Sequence, residues 1–444
     1  MKLSSVHTRD TAIVMGGSLG GLMTARVLSQ HFNKVIIVEK DEVRRQPESR
    51  KGQLHTRHLH GLLPGGLNVM LQYFPDLKQA LAENGANVVD FGSSMIWQTY
   101  GGYRQQFNMD LEGVTMSRQL LEHLIRERVL ALPNIELLDK TAVKKLTTTV
   151  DNQTVTGITV ETKGNDTPSV LNADLVVDVT GRGSYSPQWL KEIGFGEPPV
   201  SEVKVNVGYT TRIYKRDVND PLSNKWILHT PHAPYETRFG GLFPVEGERW
   251  VLTVGGWHGD KAPLDEKAHL AYVESLGMPE LTHIARTAEP LSELYAYNFP
   301  SSLRRHYEKM KQFPKGYLVL GDAVSSFNPT YGQGMTSASL QAIELDKLLK
   351  NNVLAADLAA NFFKQAAKVV DIPWALAVGE DFRYSETEGP KPPAINFINK
   401  YVGRVHRATL KDKIVCEAFL QVMSLLKPPT SLFHPRIVWR VMRA

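Results

Sequence analysis

Two short stretches hold residues suited to gripping phosphate and a flat, electron-accepting ring. GGSLGG at 16–21 sets Gly16, Gly17, Gly20 and Gly21 around Ser18. It follows an apolar run at 12–15 and leads into a helical pattern with Leu22, Ala25 and Leu28 on one face. A pyrophosphate must approach backbone N–H groups at a helix N-terminus, where the dipole is positive, and glycines allow that approach. The turn fits G-x-G-x-x-G with Ser18 replacing the middle glycine. KVIIVE then ends at Glu39, eighteen residues after Gly21 and just before Lys40, where a carboxylate can accept bonds from a ribose diol. Strand, turn, helix, strand and terminal Glu predict a βαβ unit that binds a dinucleotide; a purely structural glycine turn is the alternative.

The second stretch, GDAVSSFNPTYGQGM at 321–335, reads as a strand end, a loop stiffened by Pro329, and a helix opened by Gly332-Gln333-Gly334-Met335. Ala338, Ala342, Leu345 and Leu349 recur at helical spacing, so the helix packs through a small-residue face and its first turn carries free N–H groups. An isoalloxazine needs such a dipole near its N1–C2=O edge, where negative charge collects on reduction. Asp322, after Gly321, is placed to hydrogen-bond a ribityl hydroxyl. A strand-loop-helix with an incidental Asp is the bland alternative.

Elements must position these stretches. With 444 residues, 42% hydrophobic and 22% charged, the chain has the composition of a globular α/β protein with a large core. Its one cysteine, Cys416, excludes a disulfide framework, and the polar N-terminal MKLSSVHTRD lacks a leader's apolar run, which together predict a cytoplasmic protein. The net charge of +5 suits an anionic ligand or surface without establishing one, and no nucleic-acid module is recognisable. MSRQLLEHLIRERVLAL predicts a helix with Ser117 as N-cap. VNVGYTTRIY alternates with period two, and FGGLFPVEGERWVLTVGGW adds aromatic strands, so an antiparallel sheet is inserted into the nucleotide domain. The boundaries read as 1–90, 117–200 and 306–360 for the nucleotide domain, 91–116 and 201–305 for substrate-domain strands, and 361–444 for C-terminal helices.

GGSLGG with Glu39, DVTG at 178–181 and GDAVSSFNPTYGQGM appear in the order seen in group A FAD-dependent monooxygenases, the aromatic hydroxylase class, and the chain resembles that family along most of its length. Through RKGQLHTRHLHGLL, DVTGRGS, GGLFPVEGERW and FNPTYGQGM it is more narrowly similar to the branch containing polyether epoxidases. The resemblance implies a Rossmann-like FAD domain of the GR2/PHBH type. It implies Glu39 on the adenosine ribose, Arg118 along the pyrophosphate, Val143 at the adenine, Asp322 on the ribityl chain, and Gly332 to Met335 around the flavin pyrimidine edge. Arg57 is placed with the cofactor set. Leu54-His55 stands where the family pattern has Pro-Gln, ahead of Arg57-His58-x-His60.

The reaction implied is oxygen activation as a flavin C4a-hydroperoxide, with O2 as co-substrate, followed by epoxidation or hydroxylation of an apolar unsaturated or aromatic natural product. The cofactor does this chemistry, so no protein acid, base or nucleophile is nominated. Tyr209, Phe243, Trp250, Trp97 and Trp374 are pocket candidates against a core reading for each. No second Gly-rich turn serves NAD(P)H, which leaves transient nicotinamide binding or a separate flavin reductase as electron source. A reductase of polyprenyl double bonds and a flavin-dependent halogenase are the alternatives, the latter opposed by the lack of a W-x-W-x-I-P stretch. A non-catalytic flavoprotein is a third. His55, His58 and His60 read as a flavin-proximal or structural loop rather than a metal site, since no carboxylate or cysteine stands at ligand spacing. Asp178 and Arg182 are either functional or a satisfied turn. From Lys400 onward nine Lys/Arg face two Asp/Glu, so the tail reads as a helix packed on the body, with peripheral membrane contact as the alternative.

Overall fold

The computed structural model describes residues 9–50 and 52–444. The N-terminal segment read as lacking a leader lies outside the described residues up to Thr8, as does Lys51 of the basic loop.

Apolar runs buried on both faces make a five-stranded parallel sheet in the order Tyr317–Val319, Leu175–Asp178, Arg9–Met15, Phe32–Val38, Ile135–Leu138. Ala12 to Met15 are fully buried because helices cover the sheet. Leu19–Leu28 packs beside Gly334–Lys350, so the two Gly-rich turns found in sequence open neighbouring helices. The predicted third helix runs Arg118–Leu130, where the Ser117 hydroxyl accepts the Leu120 N–H at 3.1 Å.

The inserted sheet has eight strands, in the order Ser325–Ser326, Tyr295–Arg305, Val200–Lys215, Arg249–Gly256, Arg238–Val245, Trp226–His229, Met95–Thr99, Gly102–Tyr103. Met95–Thr99 joins it parallel to Trp226–His229. Glu112–Thr115, grouped with these strands in the sequence reading, pairs instead with Asn87–Asp90 and Gly61–Leu62 in a separate sheet. Parity fixes the faces of the large sheet. Tyr209, Thr211, Phe243 and Thr253 point toward the nucleotide domain, while Tyr214, Leu242, Trp250 and Leu252 are buried with residues of the helices Glu266–Glu274 and Pro279–Thr287.

Beyond 350 the chain is helical. Ala355–Asp381 contains Pro373, and its first half packs on the nucleotide domain while Val378 reaches the large sheet. The last helix, Pro435–Arg443, turns Ile437 and Val441 inward and leaves Trp439 and Met442 exposed. No helix among the described residues is long and apolar enough to cross a membrane.

Candidate functional site

One cavity of about 990 Å³ runs from the Gly-rich turn at 16–21 to the aromatic face of the large sheet and on to the C-terminal helices. Gly16, Ser18, Gly20, Glu39, Lys40, Arg118, Val143, Gly321, Asp322, Pro329, Gly332, Gly334 and Met335 border it, as do Tyr209, Phe243 and Trp97.

Two sequence candidates serve the turn from behind. The Gly17 N–H donates to Glu39 Oε2 at 2.9 Å, and a Cβ on Gly21 would stand 1.8 Å from the Gly16 carbonyl oxygen. Four expectations need correction. Trp250 is paired with Tyr214 and Pro244, on the opposite face from the cavity, and is fully buried core. Trp374 sits half-buried between the sheet core and the large-sheet core, outside the lining. Arg57 is exposed and lies over the Tyr295 ring at 5.0 Å instead of facing the cavity. Gln333 turns away from the lining, and its Nε2 donates to the Met423 carbonyl at 2.9 Å.

The cofactor-side residues suit a dinucleotide with a flavin. Asp322 is deep in the molecule yet exposed, because its carboxylate faces the cavity and takes no hydrogen bond from any described residue. Burial raises its pKa, and Arg118 and Arg182 oppose the rise. Arg118 is 5% exposed, and its Nε has no partner, as expected of a donor reserved for a phosphate oxygen. A Cβ on Gly334 would meet nothing within 4 Å, so the first turn of the 17-residue helix opens onto free space. Glu39 accepts the Gly17 and Asp41 N–H groups, each at 2.9 Å, with lone pairs left for a diol.

Sequence reasoning missed the support beneath this cradle. Arg50, with a 6% exposed side chain, reaches three ways. Its Nη1 is 3.0 Å from Glu39 Oε2, its Nη2 bonds Glu122 Oε1, and the same Nη2 donates to the Gly17 carbonyl at 3.2 Å. Ser18 Oγ donates to Glu122 Oε2 at 2.9 Å, so the serine that departs from the glycine pattern ties the turn to the Arg118 helix. Burial alone would raise the Glu122 pKa, but Arg118 and Arg50 outweigh it and hold the carboxyl below its ordinary value.

His55, His58 and His60 border the cavity, and no group of three metal-ligating residues exists among the described residues. His58 Nδ1 lies 2.7 Å from Thr211 Oγ1, its ring meets Tyr209 edge-on at 4.9 Å, and the Leu59 N–H donates to Thr253 Oγ1 at 3.2 Å, which pins the basic loop to the sheet. Burial lowers the pKa of His55 and of His58 to about 4 and that of His60 to about 3. Each therefore stays neutral when folded but protonates near pH 6.5 once unfolded. Between those values the unfolded chain binds more protons, so stability is lost as pH falls from about 6.5 toward 4, by up to ~1.4 kcal/mol per pH unit for each histidine. Thermal melts across that range should show the loss, and His58→Gln should flatten the slope.

Asp178 satisfies a turn: it accepts the Thr180 N–H at 2.8 Å and the hydroxyls of Thr180, Ser184 and Ser186. Arg182 borders the cavity but spends two donors on Ser301, to its carbonyl at 2.6 Å and its hydroxyl at 2.7 Å.

Residues 9–355 match the family model described as FAD binding domain. The chain belongs to that family. It is 31% identical over 440 residues to Protein Rv3254 of Mycobacterium tuberculosis, covering 95% of this chain and 90% of that protein. PqsL of Pseudomonas aeruginosa, described as a probable FAD-dependent monooxygenase, superposes with a TM-score of 0.60 at 18% identity over 85% of this chain and 97% of its own. The flavin-dependent brominase Bmp2 superposes with a TM-score of 0.66 at 12% identity over 97% and 98%. At these identities the two structures establish a shared fold. For a family member, Asp322→Asn should weaken FAD retention about tenfold or more, by loss of a charge-assisted bond. Fluorescence of released flavin on dilution measures it.

Proposed function

We propose that this FAD-binding protein is a monooxygenase that epoxidises or hydroxylates an apolar, unsaturated or aromatic natural product. The observation that carries the reading is that the FAD cradle and an aromatic chamber are one cavity. Beyond the pyrimidine-edge loop its walls are Tyr209, Tyr297, Phe239, Phe243, Trp97 and Trp226. Bound FAD would supply the oxygen activation, which requires a dry site. The chain's residues would orient and exclude: the N-terminus of the Gly334 helix would meet the pyrimidine edge, Asp322 would hold the ribityl chain, and the aromatic wall would keep water from the substrate. The resemblance to the polyether-epoxidase branch favours an alkene. Electrons would come from NAD(P)H, directly or through a separate flavin reductase.

The test is to reduce the purified holoenzyme anaerobically, mix it with oxygenated buffer and follow the visible spectrum. A transient distinct from both oxidised and reduced cofactor is the expected result. Direct return of oxidised flavin, with and without alkene or aromatic substrates, would move a polyprenyl reductase to the front. Halogenation shares the fold with Bmp2 but lacks a W-x-W-x-I-P stretch here. Contact of the last helix with a membrane surface is a separate reading, resting on exposed Trp439 and Met442 beside Arg436 and Arg443. Flotation with anionic liposomes of the full chain, but not of a chain ending at Leu426, is its expected signature.

A further inference from the structure

The aromatic chamber ends on charge. Glu380 and Arg383, at the end of the Ala355–Asp381 helix, and His406, from Ile395–Ala408, border the cavity with Thr99, His229 and Thr230. The Arg383 side chain is 7% exposed. Its Nη1 donates to Glu380 Oε2 at 3.1 Å, and its Nη2 donates to the Tyr100 hydroxyl and to the Ala233 carbonyl at 3.1 Å. Its Nε has no partner among the described residues.

Behind this layer lies Arg104, 5% exposed, set against the adjoining rings of Trp97 and Phe419, each 4.3 Å from the guanidinium carbon. It donates to the Thr409 hydroxyl and, from Nη2, to His406 Nδ1 at 2.9 Å, while its Nε is buried without a partner. An arginine can only donate, so His406 Nδ1 accepts and the ring carries its proton on Nε2, 3.1 Å from Glu380 Oε1. Both Glu380 oxygens are thereby engaged. His406 is neutral, its pKa lowered to about 4 chiefly by burial.

The cluster holds two buried guanidiniums, Arg383 and Arg104, beside the Glu380 carboxylate; the neighbouring buried Asp381 carboxylate accepts from Trp257, Asn328 and Tyr331, and the exposed Arg407 guanidinium lies 5.6 Å from the Tyr100 ring. Among the described residues no carboxylate pairs with Arg104, and a buried guanidinium without a counter-charge is costly, so an anion arriving in this end of the cavity would be favoured. The cofactor does not supply it, because its phosphates belong with Arg118 and the 16–21 turn, built by other elements.

We propose that this cluster is an anion subsite, which takes an ionised carboxylate carried at one end of an otherwise apolar, unsaturated or aromatic substrate. Arg383 makes the contact, assisted by the Thr230 hydroxyl, whose oxygen already accepts the Trp97 indole N–H at 2.9 Å and so leaves its own proton to donate. Arg104 is a positioning residue that acts through His406 and Glu380. The inference rests on the chamber being the substrate-binding half of the proposed monooxygenase.

The test uses the oxidised holoenzyme and three probes of one shape, 2-naphthoate, 2-naphthalenemethanol and 2-naphthylmethylammonium, with Kd read from perturbation of the flavin spectrum at neutral pH. The carboxylate should bind about tenfold or more tightly than the alcohol, the scale of a charge-assisted pair. Arg383→Gln should abolish that preference, with the carboxylate losing more affinity than the alcohol. Glu380→Gln, which keeps Arg383, should tighten the carboxylate further, and it serves where the first variant does not fold. Failure of the carboxylate to bind more tightly than the alcohol overturns the proposal, as does tightest binding by the ammonium probe. No oxygen is consumed in these titrations, so the subsite can stand if the oxygen transient is absent, and fall if it is present.

Discussion

Gly21→Ala should produce a colourless, largely insoluble protein. The added methyl would lie 1.8 Å from the Gly16 carbonyl oxygen and 3.6 Å from Val14 Cγ1, and the first obstacle is backbone that no rotamer change can clear. Gly16 cannot yield, because its φ of +106° already needs glycine and its own Cβ position is 2.7 Å from the Val179 carbonyl oxygen. The helix must therefore lift off the strand, which costs at least about 3 kcal/mol by overpacking and takes the pyrophosphate turn with it. The ratio of flavin to protein absorbance and the melting temperature measure both losses. Gly334→Ala is the informative counterpart. Its methyl meets no protein atom, so folding should survive while FAD retention falls.

Arg50→Met is the second large effect. The guanidinium lies between the carboxylates of Glu39 and Glu122, whose side chains are 9% and 4% exposed. Removing it leaves Glu39 with no cationic partner among the described residues and Glu122 with only the longer contacts to Arg118 at 3.6 Å and Arg126 at 3.8 Å, and a broken buried pair costs about 3–5 kcal/mol. Urea midpoints should fall accordingly, and FAD should be lost because Glu39 and Ser18 are no longer held. Adding Glu122→Gln should recover part of the stability, and the double-mutant cycle gives the coupling directly.

The contrast between these two sites shows what a sequence makes legible. Gly16, Gly21 and the 332–335 turn act through local backbone geometry, which spacing records, and the parallel sheet follows from its apolar runs. Arg50 reaches Glu122 across seventy-two positions, and nothing in either neighbourhood marks the other. Trp250 lies on the other face by register, since one step along the strand separates the chamber face from the face under the helices. Arg57 and Trp374 fail for a related reason, because a side chain's direction from a loop or helix is a tertiary property. The cluster around Arg383 and His406 left the faintest trace. Amphipathic helices announce that one side is buried, and not what they are buried against.

The order of strands in the parallel sheet also governs how the protein comes into being. Arg9–Met15 leaves the ribosome before the other strands of its sheet, which is completed only by Tyr317–Val319, and its helix waits for Gly334–Lys350. At cellular elongation rates the final strand arrives about 300 residues and roughly 15–60 s later. Through that interval the apolar βαβ unit is synthesised but unfinished, with open strand edges and no cofactor to close around. Exposed apolar surface and open edges of that kind make an unfinished chain prone to aggregation, so flavin supply would matter to its yield only once the Tyr317–Val319 strand and the Gly334–Lys350 helix are in place.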